Sequence, residues 1–200
     1  MFSPVLSRVF CLVSATDDLS LLPGLAACGV DGFQVREKSA GTRELIELVR
    51  RVIDDVRPHG ALVVVNDRLD VALTARADGV HLGSEDLPVA EARRVAPDLV
   101  VGATCRSPEE ARRAADAGAS YAGCGPLFAT ASKDSLPDPL GIDALAAATG
   151  HLPLVGIGGL DAGRARSARA VGAHGVAVIG SIWRHPDPLV AAKELVDAVA

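Results

Sequence analysis

Residues 107–126 read SPEEARRAADAGASYAGCGP. Ser107 followed by Pro108 is a helix start. The hydroxyl accepts from an orphan amide of the first turn, and the fixed φ of proline suits the first helical position. The helix runs to Ala117, where Ala-Gly-Ala at 117–119 stops it. Gly118 takes a left-handed conformation at no steric cost, and an apolar strand follows at 120–123. The stretch is therefore one helix-to-strand unit.

The same unit recurs along the 200 residues. Relatives of Ala-Gly-Ala precede strands at 27–31, 75–79 and 171–173. Short apolar runs fall at 9–13, 32–35, 61–65, 79–82, 99–102, 120–123, 153–157 and 175–179. Between them lie amphipathic segments. One is 42–56, with Thr42 as its cap and Leu45, Leu48, Val49 and Val52 on one face. Strand and helix alternating throughout imply right-handed crossovers and a parallel sheet. Eight such units in one short chain predict a single-domain α/β fold, the (β/α)8 TIM barrel, over residues 1–200. An open doubly wound sheet is the alternative, but no GxGxxG follows the first strand.

Composition agrees. Hydrophobic residues make up 49% and aromatic residues only 3%, so the core is built from Ala, Val, Leu and Ile, which suit helices laid on a parallel sheet. The net charge of -5 and the lack of a basic stripe argue against nucleic acid. No apolar run reaches the roughly 18 residues that a membrane span needs. Residues 1–13 are too short and too polar for a signal peptide. Cys11, Cys28, Cys105 and Cys124 have no metal-ligand spacing and read as reduced, mostly buried thiols, in keeping with a cytoplasmic protein. An apolar helix face would be the feature to support a homodimer.

In this fold the active site forms where the strands end, and polar residues gather there. After the second strand come Gln34, Arg36 and Lys38, alternate residues that share a face and offer an anion their donors. After the third and fourth come Asn66-Asp67-Arg68 and Gly83-Ser84-Glu85-Asp86. Asp67 and Asp86, above adjacent strands, suit a hard cation such as Mg2+ that keeps waters and bridges to substrate phosphates. As separate residues they would instead cap the following helices. Gly156-Ile157-Gly158-Gly159 and Ile179-Gly180-Ser181 end strands 7 and 8, the usual phosphate cradle of the fold. The long loop 125–141 carries Thr130, Ser132 and Lys133, two hydroxyls and a cation for a phosphorylated small-molecule ligand. His81 reads as a core histidine. His59, His151, His174 and His185 read as surface or loop residues, and Trp183 as packing under the last helix or against a neighbouring subunit.

With these strings in order, QVREK (34–38), NDR (66–68), GVHLGSEDLP (79–88), GP (125–126), TASK (130–133) and GIGG (156–159), the chain resembles the thiamine-phosphate synthase family from about Val9 to Leu195. The resemblance implies an enzyme that joins 4-amino-5-hydroxymethyl-2-methylpyrimidine diphosphate to a hydroxyethylthiazole phosphate, releasing pyrophosphate, with Mg2+ required. It further implies that diphosphate leaves first and that the thiazole nitrogen captures the pyrimidine cation. By motif, Gln34, Arg36, Lys38 and Asn66 would bind the pyrimidine diphosphate, and Asp67 and Asp86 would hold Mg2+. Thr104 would lie beside the pyrimidine, where the family usually has serine. Thr130 and Ser132 would contact the thiazole phosphate, and Lys133 the diphosphate. Gly159 and the Ile179–Gly180 backbone would complete the thiazole-phosphate site. Arg36, Lys38 and Lys133 would be the catalytic cations. The sequence departs from the family at Ser84, Thr104, Ser132 and Gly180-Ser181, and at Arg106, where a histidine often follows strand 5. The competing readings are the related thiazole tautomerase, whose relatives tend to lose the paired aspartates, and a phosphate-ligand sensor without turnover.

Overall fold

A computed structural model describes residues 6–130 and 137–200. Eight strands, β1 (Val9–Val13), β2 (Gly32–Val35), β3 (Leu62–Asn66), β4 (Gly79–Leu82), β5 (Val100–Cys105), β6 (Tyr121–Cys124), β7 (Leu154–Ile157) and β8 (Gly175–Val178), pair in sequence order, all parallel. The barrel closes because β8 pairs back onto β1. Around it run α1 (Leu22–Ala27), α2 (Thr42–Val56), α3 (Leu69–Ala75), α4 (Val89–Val95), α5 (Pro108–Asp116), α6 (Gly141–Ala148), α7 (Ala162–Ala170), the single turn α8 (Gly180–Trp183) and α9 (Pro188–Val199).

The apolar residues sort into two layers. Outward-facing strand residues such as Val63, Val65, Val80 and Val101 pack with the helices into one large core. Inside the barrel sits a smaller cluster of Phe10, Leu12, Val64, Val100, Tyr121, Val155 and Ala177. With few aromatic residues, the lumen is filled by setting bulky side chains beside glycines on the neighbouring strand. Phe10 pairs in register with Gly32, and Tyr121 with Gly102. A Cβ on Gly32 would come within 2.6 Å of the Phe10 ring. This is the interdigitated filling of a small barrel, which leaves a packed core and not a pore.

The structure revises several local expectations. β5 continues to Cys105 and does not end at Gly102, which carries Thr104 up the barrel wall. Gly41, not Thr42, caps α2, and its amide donates to Glu44 Oε2 at 3.1 Å; Thr42 accepts from Arg68 instead. Trp183 donates from Nε1 to the carbonyl of Leu12 at 2.7 Å, tying α8 to the end of β1. Ser107 does cap α5.

Gly29, Gly118 and Gly172 have positive φ, as the helix-ending pattern requires. In the unit at 75–79 the left-handed position falls on Arg76, with φ 60. A side chain there costs about 1–2 kcal/mol of strain, partly offset in a glycine variant by its greater unfolded-state entropy. Arg76→Gly is therefore expected to raise unfolding stability by about 0.5–1 kcal/mol in urea titration.

Candidate active site

The C-terminal ends of the strands surround a cavity of ≈ 630 Å³. Every described residue expected at the site lines it: Gln34, Arg36, Lys38, Asn66, Asp67, Asp86, Thr104, Thr130, Gly159, Ile179 and Gly180. Ser132 and Lys133 lie outside the described residues.

Strand register explains the first group. Gln34 is buried (5% exposed) on the lumen face of β2, and its amide donates to Asn66 Oδ1 across β3 at 2.8 Å. Arg36 and Lys38 follow on the same alternation and reach the mouth. Arg68, two residues past β3, turns outward and pairs with Asp70 at 2.6 Å.

Neither carboxylate of the expected metal pair caps a helix. The residues at the starts of α3 and α4 are Arg68 and Pro88, without side-chain caps. Asp67 occupies the left-handed region at φ 64, a conformation that Asp tolerates better than most residues and that commonly marks a functional position. Its amide donates to the carbonyl of His81, which brings the end of β3 beside β4. Asp86 is anchored by accepting from the Gly83 amide at 2.7 Å. The two carboxyls then face each other. Burial, and next the neighbouring Asp86, push the Asp67 carboxyl up to about 6, while Lys38 (Nζ 3.9 Å from Oδ2) opposes the shift. Two oxygen-bearing acids crowded together fit a hard divalent cation, whose charge would offset both burial and repulsion. Among the described residues no cluster of three or more His, Cys, Asp and Glu side chains is placed to hold a metal, so further ligands would come from water and from the phosphates of a substrate.

The glycines after β7 have a structural reason of their own. Gly158 and Gly159 have φ 95 and 65. A Cβ on Gly158 would lie 2.6 Å from Pro126, and one on Gly159 2.6 Å from the carbonyl of Ala129. They let the loop after β6 pass directly over the end of β7. The Ser181 hydroxyl bonds the carbonyl of Leu160, joining the loops after β7 and β8.

Several lining residues escaped the sequence reading. His81 projects into the lumen, with Nδ1 3.1 Å from the Tyr121 hydroxyl and Nε2 3.2 Å from Thr104 Oγ1. Burial pushes its imidazole down to about 4. Arg164 stacks over Phe128 at 4.5 Å and donates to the Gly159 carbonyl at 2.6 Å. With Arg184 it adds two cations to the mouth. Their signal was their place in the first turns after β7 and β8. Arg106 donates to the carbonyls of Gly125 and Asp138, tying together both ends of the loop after β6.

A family model described as thiamine monophosphate synthase matches residues 5–182. The chain belongs to that family. It is 42% identical over 184 residues to a thiamine-phosphate synthase of Moorella thermoacetica, covering 90% of this chain and 88% of the relative. It is 47% identical over 194 residues to the thiamine biosynthesis bifunctional protein ThiM/ThiE of Symbiobacterium thermophilum, covering 96% of this chain but only 40% of that longer protein. A solved thiamine phosphate pyrophosphorylase from Pyrococcus furiosus superposes with a TM-score of 0.87 at 33% identity, over 96% of this chain and 95% of that one. A 3-hexulose-6-phosphate synthase, at 20% identity and a TM-score of 0.74, shares the fold alone. These likenesses favour the synthase family over the tautomerase and sensor readings.

The Asp67–Asp86 pair makes a prediction about stability. A carboxyl raised to about 6 holds a proton in the native state that the unfolded chain has already released. Stability from this group therefore grows as the pH falls from about 6 toward 4, and it is least above that window. Asp67→Asn, which tolerates the left-handed backbone and removes one charge, is expected to melt higher than the parent at pH 7.5. The gain should shrink by pH 4.5, while turnover at pH 7.5 falls by a hundredfold or more. Melting curves at the two pH values and one activity assay check this.

Proposed function

We propose that the chain acts as a thiamine-phosphate synthase. It would transfer the pyrimidinylmethyl group of 4-amino-5-hydroxymethyl-2-methylpyrimidine diphosphate to the nitrogen of a hydroxyethylthiazole phosphate, giving thiamine phosphate and pyrophosphate. One observation supports this reading above the others. Paired carboxylates, Asp67 and Asp86, line one cavity together with the cations Arg36, Lys38, Arg164 and Arg184.

Such a site is suited to a dissociative substitution. The C–O bond to the diphosphate breaks first, its electron pair leaving with the diphosphate. The thiazole nitrogen then supplies the pair for the new C–N bond. The barrier lies in charge separation, so the protein's task is to stabilise the departing anion and exclude water. Arg36 and Lys38 reach the mouth from the strand-2 side and would grip the diphosphate oxygens, and Lys133, by its motif, would add a third cation. Gln34, fixed by Asn66, would hold the pyrimidine edge at the cavity floor. Asp67 and Asp86 would hold Mg2+, which would neutralise the leaving diphosphate when bound. The loops after β7 and β8, with Gly159, Ile179 and Gly180, would receive the thiazole phosphate on backbone amides, and Thr130 and Ser132 would add hydroxyl donors. Arg164 and Arg184 extend that cation-rich wall.

Pyrophosphate release is expected to require both substrates together and to stop when a chelator removes the metal. Release that gives no thiamine phosphate when both substrates are present, or release unaffected by chelator, would oppose the mechanism. Arg36→Ala is expected to lower kcat/KM by a hundredfold or more, whereas Arg68→Ala, on the outer surface, should change it less than threefold. Steady-state kinetics with the pyrimidine diphosphate varied separate the two variants.

A further inference from the structure

Tyr121, His81 and Thr104 form a chain of side chains running from the packed lumen to the cavity wall. Tyr121 is 2% exposed and stacks on Phe10, with ring centroids 5.4 Å apart. The space it needs is left by Gly102 on β5, where a Cβ would collide with the phenol ring. The space His81 needs is left by Gly123 on β6, where a Cβ would lie 3.1 Å from Cε1. Two glycines on adjacent strands thus accommodate the first two members. The third, Thr104, is exposed to the cavity.

The hydrogen atoms along this chain can be placed by elimination. Among the described residues the Tyr121 hydroxyl touches one polar side chain, His81, at Nδ1. If Nδ1 carried a proton, in the other tautomer or in the imidazolium, the buried phenol would accept it and its own O–H would have no acceptor among the described residues, the unfavourable state of a buried unpaired donor. The phenol therefore donates to Nδ1. With Nδ1 accepting from the phenol, the ring carries its one proton on Nε2. Nε2 donates to Thr104 Oγ1 at 3.2 Å. Thr104 accepts from the imidazole, so its own proton is directed at the cavity.

We propose that Tyr121 and His81 are positioning residues that fix the polarity of Thr104, making its hydroxyl an obligate hydrogen-bond donor to an acceptor atom of the bound pyrimidine substrate. The class of acceptor is a lone pair on an unprotonated ring nitrogen or on the ester oxygen of the diphosphate. The relay itself is independent of the synthase reading; only the identity of the acceptor rests on it.

The test has two parts. A long-range proton–nitrogen correlation spectrum of the histidine-labelled protein, assigned with His81→Gln, is expected to show His81 neutral with its proton on Nε2, and Tyr121→Phe should abolish that single-tautomer signature. A proton on Nδ1 in the parent protein overturns the relay, whatever the enzyme's activity. In the coupling assay, Tyr121→Phe is expected to lower kcat/KM for the pyrimidine diphosphate about tenfold while leaving KM for the thiazole phosphate within twofold. Thr104→Val should lower it at least as much, and Thr104→Ser should restore it. Adding Tyr121→Phe to Thr104→Val should cost less than twofold more, because the group whose polarity it sets is gone. Losses that multiply in the double variant would assign Tyr121 a packing role and contradict the proposal. If the parent protein forms no thiamine phosphate, the synthase reading falls, and the tautomer measurement still decides the relay.

Discussion

Asp67 and Asp86 stand against each other at the rim of the barrel, partly shielded from water, and at neutral pH that contact is unfavourable. The fold enforces it. Asp67 is held in a left-handed backbone conformation just past β3, with its amide bonded to the carbonyl of His81 on β4. Asp86 is held by the Gly83 amide. Neither side chain is used to stabilise a helix start. Carboxylates kept together at this expense, with the Lys38 ammonium 3.9 Å from Asp67, are what the proposed cation site requires, its remaining ligands arriving with the substrate.

The rest of the molecule can be read as support for that rim. Closing eight parallel strands brings all their C-terminal ends to one face, so residues from β2, β3, β4 and β5 meet although up to seventy positions separate them. Packing the lumen with Phe10, Tyr121 and small aliphatic residues beside glycines makes a rigid floor. Gln34, Asn66 and His81 stand on that floor, already bonded to their neighbours. Electrostatic stabilisation of a leaving anion depends on such preorganisation, because groups that must reorient during the reaction lose most of their advantage.

The alternation of strand and helix, and the grouping of Gln34, Arg36, Lys38, Asp67 and Asp86 at the strand ends, were legible in the sequence because they follow from period and position. Local details were less so. Thr42 looked like a cap because hydroxyl residues favour that place, yet Gly41 with Glu44 took it and left the threonine to Arg68. Strand 5 looked shorter because Ala103-Thr104-Cys105 lacks bulky apolar residues, whereas ladder pairing with β6 carries it to Cys105. His81 looked like a core histidine, and half of that holds: one ring nitrogen faces the core, the other faces Thr104 at the cavity wall. Arg164 and Arg184 were overlooked because attention fell on the glycines of the loops after β7 and β8, whereas the arginines one turn further on also line the cavity.

The carboxylate pair is proposed to be an incomplete cation site that a diphosphate completes. Calorimetric titration of Mg2+ into the protein, alone and with saturating pyrophosphate, tests it most directly. Two carboxylates with water should hold the ion weakly on their own, and the pyrophosphate complex should bind it at least tenfold more tightly, with Asp86→Asn abolishing the difference. Equal affinity with and without pyrophosphate, or coupling that survives Asp86→Asn, would contradict the account.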